Sequence, residues 1–330
     1  MGRDLSIVIP FFNVAHYLQD CLNSIAGQTY ADFEVIMVDD GSSDGSGKIA
    51  EECCRIDGRF KLLAQPNRGV GAARNSALSH VNGSYLAFVD GDDLVPERAF
   101  ELLVASLEDT GSDIACGRVQ RLSGGMLSDS PLHRGIFDED ARRTHIAVRP
   151  DLIGDRTAWN KVYRVSYWLE HDFTFPEHPF EDAPVTVPAH FFAGAVDLIS
   201  EPVYYWRHRD EGPPSITQDL YNAKNLSGRM RQIAFVSEFL RQHSRTLKKT
   251  YDAAVLEHDA VILLSALPNV GSSLRAQVLD FVHGLLRDAD RDVSGRMDPK
   301  IQEMYELVLR RDHEELIELL TARQVQSFYD

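Results

Sequence analysis

The first 93 residues alternate between short apolar runs and amphipathic stretches, and each of the main apolar runs ends in polar residues. Residues 5–10 form a β-branched run bounded by charge on one side and proline on the other, which marks a short buried strand. Val14, Tyr17, Leu18, Cys21, Leu22 and Ile25 then recur at helical spacing as one apolar stripe, with Gly27 placed to end the helix. Residues 34–39 read as a second strand and 46–56 as a helix. Residues 60–64, 70–81 and 85–90 follow as strand, helix and strand. This alternation demands a parallel sheet with helices on its faces, and such sheets bind ligands at the carboxyl ends of their strands. Asp39-Asp40, Asn67-Arg68 and Asp90-Gly91-Asp92-Asp93 lie at those ends.

Beyond residue 93 the pattern changes twice. Residues 94–200 read as mixed α+β, with loops expected around 123–131 and 171–188. Beyond Tyr221 leucine-rich helical segments take over, at 233–240, 253–267, 274–286 and 301–320. The boundary is placed at 215–222, giving a catalytic domain over 1–215 and a helical region over 216–330.

Charge narrows the partners. The formal net charge is −16, and residues 221–330 carry 15 Lys+Arg against 16 Asp+Glu. That leaves 19 against 34 in the first 220 residues. So acidic a catalytic half argues against a nucleic acid as the main partner. It still allows one small diphosphate, since a metal ion and a few arginines reverse the sign locally. Cys21, Cys53, Cys54 and Cys116 show neither CxxC nor zinc spacing and suit a reducing compartment. With no secretory signal pattern and no apolar stretch of about 20 residues, the expected location is the cytoplasm. Peripheral contact at the inner membrane face is compatible with this.

Three segments carry chemistry. Asp90-Gly91-Asp92-Asp93 delivers three carboxylates in four positions. Buried together they repel, and a hard divalent cation, Mn²⁺ or Mg²⁺, resolves the repulsion. A solvated acidic turn capping the next helix explains the same residues. Asp40, in Asp39-Asp40-Gly41-Ser42-Ser43-Asp44, suits a hydrogen bond from a nucleobase, although a strand-to-helix turn accounts for the segment as well. Asn67-Arg68-Gly69-Val70-Gly71-Ala72-Ala73-Arg74 suits a phosphate near a helix start. It departs from the dinucleotide fingerprint, because Arg74 stands where the third glycine would be.

Together with Ile7-Val8-Ile9-Pro10-Phe11-Phe12-Asn13 these segments form an ordered set, and the chain resembles the family 2 glycosyltransferases of the GT-A fold. Trp159-Asn160-Lys161-Val162-Tyr163-Arg164 and Phe180-Glu181-Asp182 are similar to segments of bacterial members that build or decorate surface polymers. The resemblance covers about residues 4–210. It implies a Rossmann-like, mostly parallel sheet flanked by helices, with residues 1–93 binding nucleotide and metal and 94–215 facing the acceptor. Pro10 and Phe12 would line the nucleoside pocket, Asp40 would bind the base, and Asn67 and Arg74 would reach the nucleotide or its phosphates. Asp90 would lie near ribose and metal, and Asp92 would be the main metal ligand. His208 would assist at the metal, with Arg207 and Arg209 as phosphate partners. Asp182 would be the catalytic base and Glu181 its orienter.

The implied activity is inverting, metal-dependent transfer of a sugar from a nucleotide diphosphate-sugar, with UDP as the expected nucleotide. The acceptor would be a hydroxyl of a bacterial cell-wall or surface glycopolymer, such as a teichoic acid. The alternative is a catalytically inactive nucleotide-sugar-binding module of a larger polymer-building assembly, against which the acidic pairs 90/92 and 181/182 argue. A sugar-nucleotide pyrophosphorylase wants a glycine-rich basic loop after the first strand, where Phe11-Phe12-Asn13 stands. A dehydrogenase lacks its fingerprint. The C-terminal stripes read as core, with a homo-oligomer interface as a second use.

Overall fold

The computed structural model describes residues 4–289 and 297–323. The chain divides into two compact units, Met1–Pro214 and Ser215–Asp330.

The first unit is a nine-stranded sheet flanked by helices. Its opening segment is the βα alternation in full: β1 Leu5–Phe11, α1 Ala15–Ala26, β2 Phe33–Asp39, α2 Ser46–Ile56, β3 Phe60–Ala64, α3 Val70–Leu78 and β4 Tyr85–Phe88. Then come α4 Ala99–Thr110, β5 Ile114–Ser123, β6 Met126–Asp129, β7 Ala141–Thr144, β8 Lys161–Arg164, α5 Val165–Glu170, α6 Ala183–Phe192 and β9 Val196–Arg207. The strand order is β3-β2-β1-β4-β8-β5-β9-β7, with β6 against β5. Strands β1 to β4 pair in parallel, β8 runs antiparallel to both β4 and β5, and β9 is again parallel to β5.

Every residue of β1 is buried, as a central strand covered on both faces requires. Pro10 pairs with Val38 but lies beyond Val8↔Phe88, the last register pair with β4, so its missing N–H falls outside that ladder. The α1 stripe Tyr17, Leu18, Cys21, Leu22 and Ile25 is buried as the periodicity expects.

Two expected loops contain regular structure. Residues 126–129 form β6, and α6 starts inside the 171–188 segment. Pro184 sits in the first turn of α6, where a missing N–H costs nothing. Pro188 removes one internal bond, and burial of residues 183–190 outweighs that loss. The four cysteines are unpaired: Cys21 and Cys116 are buried, Cys53 and Cys54 half-buried.

The second unit is helical. It holds α7 Ala223–His243, α8 Arg245–Ala254, a π-helical turn Val255–Asp259, α9 Ala260–Ser265 and α10 Ser272–Asp288, then helices Pro299–Arg310 and His313–Arg323. The segment 301–320, one helix by periodicity, is broken at Arg311, whose φ of 60° is a left-handed cap. Arg229 and Asp259 form a buried ion pair at 2.5 Å that ties α7 to the π turn. Among the described residues no helix is long and apolar enough to cross a membrane.

Helix α3 packs closely beneath the segment around Pro176. A Cβ at Gly71 would stand 2.2 Å from the Pro176 carbonyl oxygen. Gly71→Ala is therefore expected to destabilise the first unit by about 1–3 kcal/mol through overpacking against backbone. Urea unfolding followed by tryptophan fluorescence checks this, and an unchanged midpoint would refute the close approach.

Candidate functional site

Arg74 lies at the centre of the site. It sits on α3 and is 1% exposed. Its Nη1 donates to Glu181 Oε1 and to Asp182 Oδ1, both at 2.5 Å, and its Nη2 donates to Asp90 Oδ1 at 2.7 Å. The Phe175 ring centre lies 5.0 Å from the guanidinium carbon. Asn75, one residue on, clamps Phe175 by bonding both its carbonyl and its amide. The small residues of α3 thus let a helix carry a cation against the sheet.

Burial alone would lower the proton affinity of Arg74, but Asp182, Asp90 and Glu181 outweigh it and hold the group charged. Burial, with Asp182 beside it, pushes Glu181 up to about 8 against the pull of Arg74. Asp90 is pushed up to about 6, by burial first, with Arg74 opposing and Asp182 and Asp92 adding. Glu181 and Asp182 follow Phe180, whose φ of 62° is a left-handed conformation unusual for a bulky residue. Asp182 is the N-cap of α6 by position, where the helix dipole favours a carboxylate. Its Oδ2 accepts from the Ala158 amide at 3.1 Å.

The acidic turn after β4 is built on Gly91. A Cβ there would meet Phe11 Cβ at 2.9 Å, so only glycine lets Asp90 and Asp92 flank this close approach to β1. Asp93 turns inward, accepting from Tyr204 Oη at 2.8 Å and the Arg207 amide at 2.7 Å. Burial, then Asp92 and Asp90, raise its carboxyl well above the usual range. The Asp90 amide donates to Tyr204 Oη. Asp92 Oδ2 accepts from Arg209 Nε at 2.7 Å.

The structure joins Asp90, Arg74, Glu181 and Asp182 in one network and pairs Asp92 with Arg209. The remaining sequence-derived residues surround it differently. Asp40 is buried and accepts from Gln65 Nε2 and from the Arg68 and Gly69 amides, which shapes the loop before α3. Asn67, in that loop, is exposed. Pro10 is buried in β1, while Phe12 is 44% exposed at the strand's end. There Asn13 and Ser42 staple the loops after β1 and β2 together. The Arg207 guanidinium lies 5.1 Å from the Tyr17 ring centre and 3.4 Å from Asp20, over α1 rather than among the carboxylates. His208 places Nδ1 3.3 Å from Arg121 Nη2. Sequence reasoning assigned no role to Tyr204, Gln65, Asn75 or the Ala158 amide. Two of them had a signal: Asn75 directly follows the Asn67–Arg74 segment, and Tyr204 lies three residues before Arg207 in the stretch where the resemblance ends.

The donor chemistry here suits a divalent cation, although among the described residues no three of these carboxyl groups bring ligand atoms within 4.8 Å of one another. Asp90, Asp92, Asp93, Glu181 and Asp182 bring five carboxyl groups against the guanidinium groups of Arg74 and Arg209. Hard oxygen donors in such excess suit Mg²⁺ or Mn²⁺. A second cluster places potential ligand atoms of Cys116, Asp155 and His190 within 4.8 Å of one another. Lys161 Nζ already lies 2.7 Å from Asp155 Oδ1 there, so a side chain supplies the cation.

Glu181 gives a pH prediction. Its carboxyl rises from about 4.5 unfolded to about 8 folded, so its stabilising contribution is complete below 4.5 and is lost as pH rises toward 8. In metal-free protein the melting temperature is expected to fall from pH 5 to pH 8 more steeply in the wild type than in Glu181→Gln. Scanning fluorimetry in EDTA measures both slopes, and parallel curves would show that Glu181 is not a buried acid.

Residues 6–170 match the family model described as Glycosyl transferase family 2. Glycosyltransferase GlyG of Streptococcus pneumoniae serotype 4 is 38% identical over 238 residues, 68% of this chain and 78% of that protein. The poly(ribitol-phosphate) beta-N-acetylglucosaminyltransferase TarS of Staphylococcus aureus is 27% identical over 216 residues, 63% of this chain and 36% of that protein. The crystal structure of TarS 1–349 in complex with UDP-GlcNAc is similar with a TM-score of 0.75 and 21% identity, covering 99% of this chain and 93% of that one. A mannosyltransferase from Pyrobaculum calidifontis, in complex with GDP-Man and Mn²⁺, is similar with a TM-score of 0.55 and 15% identity, covering 100% and 88%. With the motifs, the sheet order and these likenesses in agreement, the chain belongs to the family 2 glycosyltransferases and has the GT-A fold.

Proposed function

We propose that this chain transfers a sugar from a UDP-sugar to an acceptor hydroxyl with inversion, using Asp182 as the base. The observation that carries this reading is the clamp on Asp182. Arg74 holds one carboxylate oxygen and the Ala158 amide holds the other, while the same Arg74 holds Asp90 at the acidic turn. The base is thus fixed relative to the end of the site that would take the diphosphate. At 19% side-chain exposure Asp182 is open to an acceptor, whereas Glu181 at 6% is not.

In this reading the acceptor hydroxyl attacks the anomeric carbon from the face opposite the diphosphate, and Asp182 takes its proton. The bond from the anomeric carbon to the phosphate oxygen breaks, and its electron pair leaves with UDP. Glu181, which burial holds above the usual carboxylate range, accepts from the same Arg74 nitrogen as Asp182 and so would orient the base. Asp90, Asp92 and His208 would hold Mn²⁺ or Mg²⁺, which when bound neutralises charge on the departing diphosphate. Arg209, which donates to Asp92 at 2.7 Å, would be a phosphate partner beside them. Asp40 would bind the base through the loop it shapes, and Pro10 and Phe12 would flank the nucleoside. Asn67 and Arg207 remain candidates for the nucleotide's outer contacts. The 1–93 half serves the donor and the 94–215 half the acceptor.

The TarS likeness supports UDP-GlcNAc as a first donor to test. The poly(ribitol-phosphate) on which that relative is named to act supports a polyol-phosphate or similar bacterial surface polymer as acceptor. Such a polymer would be met at the inner face of the membrane by a cytoplasmic, peripherally placed enzyme, with the C-terminal helices available for docking or self-association.

A thermal-shift panel of UDP-, GDP-, dTDP- and CDP-sugars with and without Mn²⁺ tests the donor. UDP-sugars are expected to raise the melting temperature only with the metal present. Asp182→Asn is expected to lower turnover by roughly 10²–10⁴-fold and spare donor binding, while Asp92→Ala removes the Mn²⁺-dependent shift. Full turnover by Asp182→Asn would sink the assignment of the base. Binding without transfer or hydrolysis across an acceptor panel would favour an inactive binding module.

A further inference from the structure

The loop that supplies the Ala158 amide is fixed by a buried polar network the reaction itself does not use. Asp155 is fully buried. Its Oδ1 takes Lys161 Nζ at 2.7 Å and Asn160 Nδ2 at 3.0 Å, and its Oδ2 faces His190 Nε2 at 3.2 Å. Lys161 Nζ also bonds the Thr157 carbonyl and Asn160 Oδ1, both at 2.6 Å. His133 closes the ring, with Nε2 3.1 Å from Thr157 Oγ1. Burial pushes His133 down to about 4 against the pull of Asp155, and burial lowers His190 too, so both rings are neutral. Burial would raise the Asp155 carboxyl, but Lys161 and the His190 bond hold it well below the usual range.

The network grips residues 155–161 from two sides. Helix α6, whose N-cap is Asp182, reaches back through His190 and through Thr186 Oγ1, which donates to the Arg156 carbonyl at 2.9 Å. On the other side Trp159 stacks on Tyr204 at 4.2 Å, and Tyr204 holds Asp90 and Asp93. A buried ion pair is a poor source of net stability compared with an apolar filling. What it supplies is direction, since Lys161 on the Thr157 carbonyl and Thr186 on the Arg156 carbonyl hold the turn's backbone, and the side-chain bonds around Asp155 hold Lys161.

We infer that Asp155 and Lys161 are positioning residues for Asp182, holding the 155–161 turn so that its Ala158 amide fixes the plane of the Asp182 carboxylate. With Arg74 alone on Oδ1, the carboxylate would pivot about that contact. The amide on Oδ2 stops the pivot and keeps a lone pair aimed at the acceptor. The inference rests on the reading of Asp182 as the base.

The test uses the full chain with Mn²⁺ and measures UDP release from UDP-GlcNAc, UDP-glucose and UDP-galactose in turn. Asp155→Asn/Lys161→Met removes both charges together and leaves no lone buried ion. Its kcat is expected to fall on the order of 10- to 100-fold, with UDP affinity by calorimetry within about twofold of wild type. Thr186→Val, a milder change on the same turn, is expected to lower kcat by roughly 3- to 10-fold, again without loss of UDP affinity. Adding the double change to Asp182→Asn should leave the residual rate unchanged, because the turn then has no base to aim.

Wild-type kcat in Thr186→Val overturns the inference, as does a parallel loss of kcat and UDP affinity, or an additive loss in the Asp182→Asn background. If the double variant fails to melt cooperatively, Thr186→Val decides alone. Full UDP release by Asp182→Asn itself is a different failure, and it removes the base reading instead.

Discussion

One buried cation holds the active site together. Arg74 draws Asp90 from the end of β4 and Glu181 and Asp182 from the start of α6, and the last two lie 107 and 108 residues away in sequence. Taking a guanidinium out of water costs several kcal/mol, and only well-made pairs offset it. Here three carboxyl groups, Asp90, Glu181 and Asp182, accept from the guanidinium, and the Phe175 ring packs against it. The arrangement cannot be assembled piecemeal. Without Arg74 the carboxylates repel, and without the carboxylates Arg74 has no place under the sheet.

That constraint explains the strained and crowded backbone nearby. Phe180 adopts a left-handed conformation just before the acidic pair, and Gly71 and Gly91 leave no room for a side chain. Strain of this kind persists only where surrounding contacts over-determine it. The contacts are present in the clamp of Asn75 on Phe175, the Tyr204 bonds to the acidic turn, and the inward bonds of Asp93. The acidic balance of the first 220 residues also finds a local meaning. Several of its carboxylates are committed to arginines inside the site, and the remainder favour a cation over a polyanion.

The first 93 residues were legible in the sequence because their neighbours in space are neighbours in sequence. Each βα unit announces itself by period, and each polar cluster falls at a strand end. Strand β8 was not legible as the antiparallel partner of β4, since four residues, Lys161–Arg164, carry no period that fixes direction. Helix α6 was hidden by its two prolines, whose local preference tertiary burial overrode. Glu181 and Asp182 were found through resemblance, but their joint bond to Arg74 was not, because no local pattern reports a contact across more than a hundred residues. The roles of Gln65 on Asp40 and of the Ala158 amide were equally invisible, as backbone and amide groups leave no compositional mark.

The two halves therefore differ in how their geometry is secured. Residues of the first 93 such as Asp40 are set by short loops that follow adjacent parallel strands. Asp182 is set by partners on α3, on the 155–161 turn and on its own helix, each placed by a different part of the sheet. If Asp182 is the base, as proposed, its carboxylate tolerates little misplacement. The buried Asp155–Lys161 network, the Trp159–Tyr204 stack and the Arg74 hub all converge on that one group. The polar interior of this unit is thus spent on orienting the Asp182 carboxylate, the proposed base, while ordinary apolar packing of β1, α1 and β4 holds the fold.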